Sequence, residues 1–467
     1  MADGMYDVIV IGGGPGGYVC AIRAAQLGKK TLCVEQAELG GICLNWGCIP
    51  TKALLKTAEL INEIKLAEKH GLQTGNVSWD ISKMVGRSRD IAGRLNRGVQ
   101  SLFKKYKVEY LPGRAALSGN NALTVLTKEG EKKLQAGNIV IATGARPKSL
   151  PDLKADGTTV ITYREALIPK SVPQRLLVVG AGPIGLEFAY FYATLGAKVT
   201  VVEYMDSILP ASDREAAAQL AKSLTRRGIE IFTSAKLDGI SITPGHVMAR
   251  IVGAKDHKEI QAIEADVCLS AVGMTGNIED LGLEQAGVKT ERGFISVDPQ
   301  WRTSAKNVYA IGDVAGPPLL AHKAMFEGHN LAELLAGHKA EALNRGQIPG
   351  CTYTHPQLAS VGLTEEECKT KKLEYSVGRF PFLANGMALA AADEEGFVKL
   401  IFGKKHGELL GAHIVGGRAA DLIAELVLAL KLECTYEEIL ASIHAHPTFN
   451  EAVMEAAAQA FGKAVHI

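Results

Sequence analysis

Apolar residues fall into short runs and helical stripes, separated by glycine-rich turns. The run Val8 to Ile11 reads as a strand that begins almost at the N-terminus, and Leu176 to Val179 reads as another. Leu54, Leu55, Ala58, Ile61 and Ile64 recur at helical spacing and predict a helix over 53–69, stopped by Gly71. A hairpin is expected around Gly119-Asn120-Asn121, and another joins Phe397–Phe402 to Leu409–Val415 through a turn at 404–407. A strand over 307–311 precedes Gly312-Asp313. Ile423, Leu426, Val427 and Leu430 share one face of a helix-like stretch, as either a subunit contact or core of a single subunit. Strands and helices alternate through most of the chain, so the fold class is α/β, with an α+β C-terminal part.

The strongest pattern is an internal repeat. Residues 7–35 and 175–203 superpose at a constant offset of 168 positions, as strand, G-x-G-x-x-G, helix, strand, glutamate. Gly12 and Gly180 suit the tight turn out of the strand. Gly14 and Gly182 let backbone approach a pyrophosphate, and Gly17 and Gly185 let the helix pack on the sheet. The helix N-terminus offers free N–H groups to phosphate. Glu35 and Glu203 end the following strands, where a carboxylate binds ribose hydroxyls and repels a 2′-phosphate. No arginine follows Glu203 in Tyr204-Met205-Asp206, which favours NAD over NADP in the second copy. One such loop alone is often only a turn. Two copies in full context predict two different dinucleotides, FAD and a nicotinamide nucleotide.

Composition narrows the alternatives. The 467 residues correspond to roughly three domains at about 150 residues each. The formal charge is +1, which gives nucleic-acid binding no electrostatic support. No run of about 18 apolar residues predicts a membrane span. Glycine is over-represented, 50 residues against a usual ~7%, and clusters at the loops just described. No signal-peptide pattern occupies the N-terminus, and eight cysteines are too few for a disulfide scaffold, so a reducing, cytoplasmic location fits. Cys20, Cys33 and Cys268 read as small buried hydrophobes.

Only Cys43 and Cys48 are close in sequence, in Gly-Gly-Ile-Cys-Leu-Asn-Trp-Gly-Cys-Ile-Pro-Thr-Lys at 40–52. Pro50 suits a first helical turn, which places the cysteines near a helix N-terminus and favours thiolate. Five residues of separation with Gly47 between them allows the sulfurs to meet. The reading is a redox disulfide. The alternatives are two unrelated buried cysteines, or half of a zinc site for which no Cys or His pair stands at the usual spacing. His446 and Glu451, five apart across Pro447, could form a base and its orienting carboxylate, although an isolated histidine is more often plain surface or core.

Taken together, GGICLNWGCIPTK some 30 residues after GGGPGG resembles the flavoprotein disulfide reductases. Ile141-Ala142-Thr143-Gly144-Ala145 is similar to the segment closing that family's first FAD-binding stretch. Tyr309 to Asp313 is similar to its second FAD motif, whose aspartate binds the ribityl chain; standing alone, Asp313 would read as a turn aspartate. The segment His444 to Glu451 is similar to the family's C-terminal motif, which matches His446 to the base, Glu451 to its partner and His444 to a less critical flanking histidine. The resemblance further implies a disulfide between Cys43, the interchange sulfur, and Cys48, the sulfur nearer the flavin. It implies a Lys52–Glu187 pair beside the flavin, otherwise a helix-face lysine and a buried capping glutamate. It places Ala115, Thr143, Gly144, Asp313, Ala321 and Gly273 among the cofactor-binding residues. No metal is implied.

Within the family the likeness is greatest to the branch that oxidises protein-bound dihydrolipoamide with NAD⁺. Ile22 stands where glutathione reductases carry a carboxylate-binding arginine, and Pro183 where they place a tyrosine lid. No cysteine follows Cys434, whereas mercuric reductases end in a cysteine pair. Trp46, Pro183 and the stretch Met274-Thr275-Gly276-Asn277 depart from the common pattern. The implied partners are a second copy of the chain and a lipoyl domain of a 2-oxo acid dehydrogenase complex or the glycine cleavage H protein, since no lipoyl domain is found in the chain. A related glutathione- or mercuric-reductase-like activity is the alternative. The expected organisation is an FAD segment over 1–147, an inserted NAD domain over 148–275 reached through a proline-rich connection, a second FAD segment over 276–348, and an interface domain over 349–467.

Overall fold

The computed structural model describes residues 5–119 and 121–467. The chain forms two compact units. One comprises residues 1–54, 82–148 and 273–343, and the other 55–81, 149–272 and 344–467.

The first unit is built on a sheet whose parallel strands run in the order Glu109–Pro112, Thr31–Glu35, Tyr6–Ile11 and Gly130–Ile141, with Val308–Ala310 paired to the last. Val8 to Val10 and Ile139 to Ile141 are fully buried, because a parallel strand is covered on both faces. The strand Gly130–Ile141 extends beyond the parallel sheet and pairs antiparallel with Ala122–Thr127, which in turn pairs with Arg114–Gly119. The expected hairpin joins these last two strands; Asn120 within it lies outside the described residues. The helix Pro15–Gln26 leaves the first strand, and the helix Ala321–Leu335 packs against it where Gly16 and Gly328 remove side chains.

The second unit repeats the parallel core with Glu230–Phe232, Lys198–Val202, Arg175–Val179 and Val267–Ser270, edged by Val160–Ile161. That edge strand and the capped helix Tyr163–Ala166 lie within the proline-rich stretch, so this stretch is structured in part. A three-stranded antiparallel sheet, Ala235–Thr243, His246–Gly253 and Glu259–Ala265, is inserted in the chain between the core strands Glu230–Phe232 and Val267–Ser270. Residues 350–416 form a five-stranded antiparallel sheet, which includes the hairpin Phe397–Gly403 and Leu409–Gly416. Ile423 and Leu426, on the helix Ala419–Lys431, belong to the core of this unit, and Val427 and Leu430 pack against it. No helix among the described residues is long and apolar enough to cross a membrane.

Candidate active site

The two glycine loops share one geometry. Gly12 and Gly180 both have φ +104°. A Cβ there would stand 2.3 Å from Ala142 O and 2.4 Å from Ala271 O respectively. A Cβ on Gly17 or Gly185 would meet the carbonyl oxygen of Gly12 at 1.9 Å or of Gly180 at 2.0 Å. These glycines let helix and strand touch. Gly14 and Gly182 differ from them. A Cβ on Gly14 would meet only Gly41 Cα, at 3.9 Å, and one on Gly182 would meet nothing within 4 Å. Space in front of the helix N-terminus is therefore kept open. Pro15 and Pro183 occupy the first turns of the two helices, so the unusual Pro183 sits where a missing N–H costs nothing.

The two glutamates close the loops in the same way. Glu35 Oε2 accepts from Gly13 N–H at 2.7 Å and Oε1 from Ala37 N–H at 2.8 Å. Glu203 Oε2 accepts from Ala181 N–H at 2.7 Å and Oε1 from Met205 N–H at 2.8 Å.

Cys43 lies in the short helix Gly41–Trp46, and Cys48 opens the helix Cys48–Leu66. The long helix begins earlier than its apolar stripe suggests because Pro50 falls in its first turn. A 3₁₀ turn, Ala67–His70, then completes it before Gly71. Both cysteines are thiols and hydrogen-bond to each other. The Cys43 thiol is raised, first by that bond, then by burial and by the adjacent sulfur, while Lys52 pulls the other way. The neighbouring sulfur and burial thus favour the neutral Cys43 thiol in this dithiol, against the thiolate expected near a helix N-terminus. Trp46, between the cysteines, has the Arg89 guanidinium over its ring at 4.6 Å. Burial takes the Cys20 and Cys268 thiols up to about 12 and raises Cys33 as well.

Asp313 sits in the 3₁₀ turn Gly312–Ala315 at the end of a buried strand. Burial pushes its carboxyl from 3.8 up to about 6, with Lys323 opposing and Glu327 adding to the shift. Thr143 is held by a reciprocal pair of bonds: its Oγ1 donates to Asn277 O, and Asn277 Nδ2 donates to Thr143 O, both at 2.8 Å. Gly144 follows at φ +74°. Ala115 is buried in the strand Arg114–Gly119, Gly273 has φ +102°, and Ala321 is the first residue of its helix. Glu187 is buried in the second loop's helix and accepts from Tyr353 N–H at 3.0 Å.

In the second unit His446 Nδ1 lies 2.8 Å from Glu451 Oε1, and the His446 side chain is 80% exposed. Glu451 opens the helix Glu451–Ala460, where a negative charge is favoured. Burial alone would raise its carboxyl, but the Thr448 N–H bond at 2.8 Å and His446 outweigh it and hold it below the usual range. His444 is nearly buried between Glu425, at 2.8 Å, and Ser442 O, at 2.9 Å. Arg89, Lys323 and Glu327 carry no mark in the sequence, and Asn277 stands out only as part of the departing stretch 274–277. Their partners lie far away in sequence, or their spacing is that of any helix face.

Residues 6–328 match the model of the pyridine nucleotide-disulphide oxidoreductases, and residues 348–457 match that family's dimerisation domain. The chain belongs to the pyridine nucleotide-disulphide oxidoreductase family, in its dihydrolipoyl dehydrogenase branch. The dihydrolipoyl dehydrogenase of Zymomonas mobilis is 47% identical, with all of both chains covered. That of Rhizobium etli is 48% identical over 99% of each. Among solved structures, LpdA from Mycobacterium tuberculosis superposes with a TM-score of 0.89 at 27% identity, covering 96% of this chain and 98% of its own. The HOCl-induced flavoprotein disulfide reductase RclA of Escherichia coli gives 0.86 at 27%, covering 97% and 99%. The cysteine pair and the two glycine loops of this oxidoreductase lie within the matched residues 6–328.

Proposed function

We propose that the protein oxidises dihydrolipoamide carried on a lipoyl domain, with NAD⁺ as acceptor and FAD as resident cofactor. The observation that carries this reading is the contacting pair Cys43–Cys48, set in the same unit as the first glycine loop and the buried Asp313 turn. The open space before Gly14, the carboxylate of Glu35 and the partly buried Asp313 carboxyl suit a dinucleotide bearing a polyol. The open space before Gly182 and the carboxylate of Glu203 suit NAD. Bound FAD supplies a relay that carries two electrons from the cysteine pair to NAD⁺.

The protein groups act as follows. His446, oriented by Glu451 and presented by a second copy of the chain, takes a proton from one substrate thiol. The resulting thiolate attacks Cys43 Sγ of the oxidised pair, breaking the Cys43–Cys48 bond and leaving Cys48 as thiolate. The second substrate sulfur then attacks the first, its proton passing to the departing Cys43 sulfur, so that the mixed disulfide breaks and the cyclic disulfide is released. The cysteine pair now holds two electrons, and their onward passage regenerates the disulfide. Lys52 favours the anionic state of these sulfurs. Ile22, on the helix Pro15–Gln26, gives a neutral lipoyl arm an apolar neighbour in place of a carboxylate-binding arginine. Leu428, Leu432 and Ile443 are exposed in the part that matches the dimerisation domain, an apolar surface suited to a second protomer.

The expected organisation into a divided FAD domain, an inserted NAD domain and an interface domain belongs to the same proposal, as does a cytoplasmic location. Anaerobic addition of NADH should bleach the flavin, and lipoamide should restore its colour. Recovery with glutathione disulfide and none with lipoamide would favour the glutathione-reductase-like alternative.

A further inference from the structure

A buried ion pair that the chemistry above does not use stands behind Asp313. Lys323 and Glu327 lie one turn apart on the helix Ala321–Leu335, with side chains 0% and 3% exposed and Nζ 3.3 Å from Oε1. Glu327 Oε2 accepts from Gly312 N–H at 2.7 Å. Lys323 Nζ donates to Gly312 O at 3.1 Å and to Gly316 O at 2.8 Å. Both polar groups of Gly312 and the exit of the turn are thus held by one pair, and Asp313 lies between them. Gly312 at φ +73° and Gly316 at φ +95° adopt the positive-φ region that glycine enters without strain, so the path of the turn is set by the bonds its backbone makes.

The helix carrying the pair is itself seated on the first glycine-loop helix. A Cβ on Gly328 would stand 2.3 Å from Gly16 O, and one on Gly16 would stand 3.1 Å from Ala324 O. Apolar residues of similar volume would fill such a site without desolvating two charges, so a buried pair is weak evidence for stability alone. Its hydrogen bonds go to the backbone that aims Asp313.

We propose that Lys323 and Glu327 are positioning residues for FAD, fixing the Gly312–Gly316 turn so that the Asp313 carboxylate meets the ribityl hydroxyls. This rests on the FAD reading above. The test is the FAD dissociation constant, measured by titrating stripped protein with FAD, alongside the thermal midpoint of each variant. The paired substitution Lys323→Met with Glu327→Leu leaves no lone buried charge. It should keep a cooperative melt and weaken FAD about tenfold or more, the scale of losing charged hydrogen bonds. In an Asp313→Asn background the same pair of changes should weaken FAD no further, because both act through one carboxylate. If the paired variant does not fold, Glu327→Gln alone carries the test with the same expectation. A folded variant holding FAD as tightly as the parent overturns the proposal, as does a loss that adds in full to that of Asp313→Asn. A parent protein that binds no FAD would instead overturn the cofactor reading itself.

Discussion

Glu35 and Glu203 make the same two hydrogen bonds, each to the N–H inside its glycine loop and to the N–H two residues further on. In both copies the loop and the acidic strand end are one preformed unit, with a carboxylate at the position that the proposed function gives to ribose hydroxyls. For the second copy this predicts strong preference for NADH. Turnover with NADPH should fall well below that with NADH, and Glu203→Ala should narrow the gap. Equal kcat/KM for the two nucleotides in the parent would contradict this.

The second loop separates packing from binding within four residues. Gly185→Ala forces a Cβ against Gly180 O, so backbone must move; a melting-point loss and a failure of NADH oxidation should appear together. Gly182→Ala places a Cβ in open space. It should change stability by no more than about 0.5 kcal/mol and still raise the KM for NADH. Flavin should stay bound in both variants, as seen in their absorbance.

Asp313 is a site of stability given up for binding. Its folded-state value, about 6, lies above the ordinary 3.8. The sign follows from linkage: the stabilisation is full below the ordinary value and is lost as pH rises through about 6. At neutral pH the apoprotein therefore carries a buried carboxylate at a cost of up to about 3 kcal/mol. Asp313→Asn should raise the apoprotein melting point at pH above about 7, have little effect near pH 4, and weaken FAD binding. A lower melting point at neutral pH would contradict this account.

The second unit contains a buried charge cluster. Lys399, 1% exposed, contacts Asp213 and Glu365 at 2.9 and 2.7 Å, and Arg379 bridges Glu215 and Glu365. For Asp213 and Glu365 burial acts upward, but Lys399 contacts and, for Asp213, His413 hold both carboxyls low. Their contribution to stability is present above the ordinary carboxylate range and is lost as pH falls through the lowered values. Lys399→Met takes the ammonium from the buried Asp213 carboxylate, while Arg379 still faces Glu365. It should cost about 3–5 kcal/mol in urea unfolding.

Legibility in the sequence tracked the range of the interaction. The glycine loops, Glu35, Glu203, the Cys43–Cys48 contact and the His446–Glu451 bond each depend on residues a few positions apart or on a repeated local pattern, and each is visible without coordinates. The Thr143–Asn277 bonds and the Lys399–Asp213 pair join residues far apart in the chain, which no periodicity marks. Lys323 and Glu327 show helical spacing, which ordinarily means a solvated face; only burial reveals the clamp. The Cys43 thiol runs against the thiolate expectation because its hydrogen-bonded neighbour and its burial both favour the neutral form.

In the proposed mechanism His446 and Glu451 set the proton step. His446→Gln should slow flavin reduction by dihydrolipoamide about a hundredfold or more, the usual scale for losing a general base, and leave oxidation of NADH largely intact. Stopped-flow absorbance separates the two half-reactions. An unchanged rate of reduction by dihydrolipoamide would remove His446 from the mechanism.

The most direct test of the redox pair is NADH formation from dihydrolipoamide by Cys48→Ser holoprotein. The account predicts bound FAD and no turnover above background. Turnover equal to the parent's would contradict it.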